Sequence, residues 1–222
     1  MIKVIKGVIF DLDGTLLNTL EDLKNAVNYA LIRKHKEPID LLTTKSYIGN
    51  GIKRLVTLAL NESDENIIND ALKDFKEYYA NHILDNTKCY DNVVETLNYL
   101  KENNIKIAVV SNKYQQGLSM LCNHFFKDYS DIFIGDDGIT PLKPNVEMVN
   151  KALKQLNLSN KECLYVGDSK VDILTAKNAK IKNVSVTYCY QDIKVLKTYE
   201  NDYLIDNIKE IINIIIKGNQ ND

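Results

Sequence analysis

The stretch Val8-Ile9-Phe10-Asp11-Leu12-Asp13-Gly14-Thr15-Leu16-Leu17-Asn18-Thr19 decides the fold. Its first half closes a short apolar run, Val4 to Phe10, rich in β-branched residues. That composition reads as a buried strand ending at Asp11. Its second half changes period. Leu16, Leu20, Leu23, Val27 and Leu31 recur three and four apart, which predicts an amphipathic helix limited by Pro38. Helical patterns continue over 52–60 and 64–83, and no strand is expected between 16 and 84.

Beyond this helical block the two periods alternate. Strands are expected at 106–110, 132–134, 163–166, 184–186 and 203–205. Helices are expected on the faces marked by Val93, Val94, Leu97 and Leu100, by residues 116–126, by Val146, Val149, Leu153 and Leu156, by Val171, Leu174 and Ala176, and by Ile208, Ile211 and Ile215. Strands alternating with helices imply a parallel sheet covered on both faces. The sequence therefore reads as an α/β protein with a doubly wound, Rossmann-like parallel sheet. The core domain is expected at 1–15 and 86–222, with residues 16–85 inserted after the first strand as a helical cap domain.

Composition narrows the function classes. The 222 residues carry 28 Lys+Arg against 30 Asp+Glu, so the chain lacks the basic footprint of a nucleic-acid binder. The apolar run before Asp11 is too short for a signal-peptide core, and the C-terminal isoleucine-rich run is too short to span a bilayer. The reading is a cytoplasmic protein with neither nucleic-acid nor membrane partners. Cys89, Cys122, Cys163 and Cys189 form no close pair, which suggests neither zinc nor a redox motif.

Ligands of open parallel sheets bind outside the carboxyl ends of the strands. Three predicted strand ends carry reactive residues: Asp11-Leu12-Asp13-Gly14-Thr15, then Ser111-Asn112, then Gly167-Asp168-Ser169. Lys143-Pro144 lies in a loop between the second and third. Two carboxylates two residues apart can divide the work of phosphoryl transfer. One attacks phosphorus, and the other protonates the leaving oxygen and then activates water. Two anions approach each other only if a cation intervenes. Mg²⁺ suits oxygen ligands such as Asp11 and Asp168. Ser111 and the Asn112 N–H can donate to phosphate oxygens, and Lys143 supplies fixed positive charge.

These four motifs, in this order, resemble those of the haloacid dehalogenase superfamily: 8–19, Ser111-Asn112, Lys143-Pro144 and Gly167-Asp168-Ser169-Lys170-Val171-Asp172. The insertion resembles the helical cap of one subclass. Segment 48–60, which opens Ile48-Gly49-Asn50-Gly51-Ile52-Lys53-Arg54, with segments 135–144, 166–179 and 186–190, is similar to the phosphoglycolate phosphatase group within it. The resemblance implies Asp11 as nucleophile and metal ligand, and Asp13 as general acid/base and, through its carbonyl, metal ligand. Asp168 would be a metal ligand, and Asp172 would support the metal's waters or Lys143. Ser111, Asn112 and Lys143 would hold phosphate, while Gly49, Asn50, Gly51 and Arg54 would form a substrate loop on the cap. It implies a Mg²⁺-dependent phosphatase for a small phosphorylated metabolite, foremost 2-phosphoglycolate, working as a monomer or homodimer. A β-phosphoglucomutase-type mutase, a pyrophosphatase, a nucleotidase and a phospho-aspartate signalling module are the alternatives. Lys180, Val146 and Met148 depart from the family pattern, as does Cys189, and all four concern loop geometry.

Overall fold

The computed structural model describes residues 4–130, 132–188, 190 and 192–220. Cys189 lies outside them. The chain runs β1 (Gly7–Phe10), β2 (Leu17–Asn18), α1 (Leu20–Arg33), α2 (Leu41–Tyr47), α3 (Gly51–Leu60), α4 (Glu65–His82), β3 (Lys88–Cys89), α5 (Val93–Glu102), β4 (Lys106–Tyr114) and α6 (Gln115–Phe125). It continues through β5 (Phe133–Asp136), α7 (Glu147–Leu156), β6 (Cys163–Gly167), α8 (Lys170–Ala179), β7 (Lys182–Val186), α9 (Ile193–Leu196), β8 (Tyr203–Ile205) and α10 (Glu210–Gln220).

Six strands pair in parallel in the order β5-β4-β1-β6-β7-β8. Strand β1 is central and buried along its whole length, as its unbroken apolar run requires. Chain order reverses at β1: β4 lies on one side and β6 on the other, which opens a crevice at their carboxyl ends. Helices supply apolar stripes to the faces. Met148, Val149, Ala152 and Leu156 of α7 are all buried, for example. In α8 the buried positions are Ile173 and Ala176, whereas Val171 and Leu174 are half-buried.

Helices α1 to α4 occupy the segment between β1 and the rest of the sheet. They share one apolar core with it, because Val27, Leu55 and Phe75 belong to the same cluster as Val8, Phe10 and Leu97. Asp74 on α4 is buried and takes both Arg33 Nε at 2.9 Å and Lys34 Nζ at 2.6 Å, which ties α4 to the end of α1.

Residues 16–84 do contain a strand, contrary to the sequence expectation. β2 pairs antiparallel with β3, so the chain leaves for the helices and returns from them through one two-stranded ribbon. The helical period starts at Leu16, but Leu16 and Leu17 both donate their N–H groups to Leu12 O, which makes a turn and delays α1 to Leu20. Asp22 locks the ribbon. It is 1% exposed and accepts from the N–H groups of Asn86 and Thr87 and from Thr87 Oγ1. Strand β4 runs on through Ser111 and Asn112 to Tyr114 instead of stopping before them, with a shift of register beyond Val110. Helix α9 was not anticipated, since four residues are too few for a period.

Candidate active site

Each predicted strand end reaches the crevice beside β1. Asp11 follows β1 directly, and its N–H bonds to Val166 O at 2.8 Å, which stitches it to β6. Lys143 arrives from the loop before α7. Its Nζ lies 2.8 Å from Asp11 Oδ1, 2.8 Å from Asp172 Oδ1, 3.1 Å from Tyr165 Oη and 3.1 Å from Val110 O. Asp172 divides its oxygens between two jobs. Oδ1 meets Lys143, while Oδ2 accepts from Ser169 N–H and Oγ and so closes a capping box at the start of α8. The local signal that begins a helix thereby aims a charge into the site.

Asp11, Asp168 and Asp172 are buried and can bring one oxygen each within 4.8 Å of one another. Two glycines make this approach possible. Gly14 has φ +87°, and a Cβ there would lie 2.4 Å from Asp168 Oδ2. A Cβ on Gly167 would lie 2.3 Å from Asp172 Cβ. Asp11 and Asp172 share one ammonium and Asp168 stands beside them, so negative charge is in excess. Burial first, and then repulsion from Asp172, raise the Asp11 carboxyl to about 7 even though Lys143 pulls the other way. Burial pulls Lys143 down, but Asp11 and Asp172 more than offset this and hold it well above its ordinary value. The phenol of Tyr165 is raised by burial and by the same carboxylates, so it remains a neutral donor. An excess of buried hard oxygen donors is what a divalent cation such as Mg²⁺ would balance.

The Asp13 side chain lines the same cavity but has other partners. Its Oδ1 accepts from Thr19 Oγ1 at 2.6 Å, and Lys113 Nζ lies 3.1 and 3.3 Å from its two oxygens. Asn112 is a loop holder: its Oδ1 accepts the Lys143 N–H at 2.8 Å, and its Nδ2 reaches Lys143 O and Gly49 O at 3.1 Å each. Ser111 Oγ faces the same cavity and accepts weakly from Lys113 N–H at 3.3 Å.

A cavity of about 540 Å³ joins these groups to the helices. Asp11, Asp13, Ser111, Asn112, Lys143 and Asp168 form its floor. Gly49 and Gly51 line the opposite wall with Leu42, Ile48, Ile52 and Leu55. Asn50 and Arg54 do not line it; both are exposed, Arg54 on the outer side of α3. Lys45 and Ser46 on α2 supply the polar groups of that wall instead.

Four contributors have no role in the sequence reading. Thr15 Oγ1 lies 3.5 Å from Asp168 Oδ1. Tyr190 Oη accepts the Thr19 N–H at 2.8 Å, and Tyr188 Oη donates to Thr15 O at 2.9 Å, so both tyrosines brace the loop after β1. Lys113 is the fourth. Its signal was available: a lysine inside the run Ile107-Ala108-Val109-Val110-Ser111-Asn112-Lys113-Tyr114 is buried only if something pairs with it.

Residues 8–186 match the model of the haloacid dehalogenase-like hydrolase family. The chain belongs to the haloacid dehalogenase-like hydrolases. This hydrolase is 33% identical over 213 residues to the phosphoglycolate phosphatase of Colwellia psychrerythraea, covering 92% of this chain and 94% of that one. It is 32% identical to phosphoglycolate phosphatase 1 of Pseudomonas aeruginosa, over 92% of this chain and 78% of that one. Among solved structures, a "predicted phosphoglycolate phosphatase" from Haemophilus somnus superposes with a TM-score of 0.87 at 29% identity, covering 96% of this chain and 99% of its own. Among the described residues of this hydrolase no helix is long and apolar enough to cross a membrane.

Proposed function

We propose that this hydrolase is a Mg²⁺-dependent phosphatase that cleaves a small phosphate monoester, foremost 2-phosphoglycolate, through an aspartyl phosphate on Asp11. The observation that carries the reading is the buried cluster of Asp11, Asp168 and Asp172 at the crevice beside β1, two of whose carboxylates pair with Lys143. The named relatives support the substrate.

In this scheme Asp11, Asp168 and the Asp13 carbonyl would hold the metal, and Asp172 keeps Lys143 in place. The ion would screen the charge between carboxylate and phosphate dianion. Lys143, Ser111 and the Asn112 N–H orient the phosphate oxygens. An Asp11 oxygen attacks phosphorus as the ester P–O bond breaks, and Asp13 delivers a proton to the departing oxygen. Water then attacks the same phosphorus. Asp13 accepts its proton, the Asp11–phosphorus bond breaks, and inorganic phosphate leaves. Segment 16–85 serves as the cap that shuts water out, with Gly49 and Gly51 over the floor.

The test is phosphate release from 2-phosphoglycolate, sugar phosphates, nucleotides and pyrophosphate, with Mg²⁺ and with EDTA. Metal-dependent release dominated by 2-phosphoglycolate is the expected result. Release dominated by another ester would overturn the substrate, and isomerisation of a sugar phosphate would point to a mutase. Release in EDTA equal to that in Mg²⁺ would sink the metal role.

A further inference from the structure

Lys113 is a second lysine in the site, and its side chain is 1% exposed. Its ammonium joins two parts of the molecule. On one side it meets Asp13, in the loop after β1. On the other it donates to Tyr79 Oη at 2.9 Å and sits 4.8 Å from the centre of that ring. Tyr79 belongs to α4 and is fully buried. A buried ammonium is costly unless paired, so these contacts fix the lysine's position. The second donor to Asp13, Thr19 Oγ1, stands immediately before α1. Both side-chain anchors of Asp13 therefore depend on the helical segment, one directly and one through Lys113 and Tyr79.

We infer that Lys113 is a positioning residue: it sets the orientation of Asp13 according to whether α4 is seated, and Tyr79 is the group by which it senses α4. The inference rests on the reading of Asp13 as the proton-transfer group. Its consequence is that the helices can switch proton transfer on without touching phosphate. Lys113 lines the cavity, but its ammonium is taken up by Asp13 and Tyr79 and its side chain is 1% exposed, so loss of Lys113 lowers turnover and leaves KM nearly unchanged.

The experiment compares Tyr79→Phe, Lys113→Met, Lys113→Arg and the Tyr79→Phe/Lys113→Met double variant with the parent, on the best ester of the panel above. Tyr79→Phe keeps the ring and its packing and removes only the acceptor. It is expected to lower kcat about tenfold with KM within about twofold. Lys113→Met is expected to lower kcat about a hundredfold, Lys113→Arg to recover part of that, and the double variant to match Lys113→Met alone. Unchanged kcat in Tyr79→Phe, losses that multiply in the double variant, or a KM effect without a kcat effect would each overturn the inference. A parent that releases no phosphate would overturn the function instead. The tie is then read from amide hydrogen exchange over residues 75–82. Lys113→Met and Asp13→Asn should each raise it, and their combination should raise it no further; unchanged exchange in both single variants overturns the tie.

Discussion

On the sheet side of the cavity, Lys143 is surrounded by four oxygens and Asp172 serves a helix start and an ion pair at once. On the helix side, the wall is Leu42, Ile48, Ile52 and Leu55, with Lys45 and Ser46 as its polar groups. The floor is over-determined and the wall is not. Buried charges tolerate few arrangements, because each must be paired, whereas an apolar wall accepts many side chains of similar volume. A floor of this kind suits one reaction, and a wall of this kind suits adjustment to different substrates.

The largest break in that contrast is at the floor. Asp11→Asn should abolish phosphate release, by about 10⁴-fold or more, because an amide cannot attack phosphorus. Circular dichroism should show an intact fold. Lys143→Met should be worse for the protein as a whole. It leaves Asp11 and Asp172 buried without their cation, and urea unfolding should register a loss of roughly 3–5 kcal/mol. A stability loss below about 1 kcal/mol would mean that the floor is looser than described.

The wall should respond differently. Lys45→Ala is expected to raise KM for an anionic ester about tenfold with kcat little changed, while Arg54→Ala should change KM less than twofold. The reverse ranking would put Arg54, not Lys45, over the cavity.

Smaller effects lie away from the site. Lys180 takes φ +56° at the end of α8, a left-handed conformation that favours glycine. Lys180→Gly should stabilise by about 1 kcal/mol, seen as a higher unfolding midpoint. Behind the sheet, Glu162 is held at about 2, below its ordinary 4.5, first by Lys6 and then by Ser159. Its folded value is depressed, so its contribution is present above pH 4.5 and lost as pH falls towards about 2. Glu162→Gln should flatten the acid limb of the stability profile over that window by lowering stability at neutral pH, with little difference from the parent near pH 2.

Much of this was legible in the residues. Every strand of the six-stranded sheet was anticipated to within a few residues, because an apolar run of β-branched side chains has few other uses. Asp11, Ser111, Lys143, Asp168 and Asp172 were legible because each stands at or near a strand end, or in the loop that returns to one. The ribbon of β2 and β3 was not, since two residues carry no period and its pairing spans the whole helical segment. Arg54 was assigned to the cavity because it follows the glycine loop. A helix turns 100° per residue, so proximity in sequence does not give a face.

The sequence by itself determined the parallel sheet, the place of the crevice and the carboxylates that fill it, since these follow from local period and from residue chemistry. Apart from Asp172 with Lys143, the lysine–carboxylate pairings came only with the packed layers. Lys143 reaches Asp11 across 132 positions, and Lys113 finds Asp13 across 100 and Tyr79 across 34. Such pairings are set by how buried charges find partners once the layers have packed, and no local pattern encodes them.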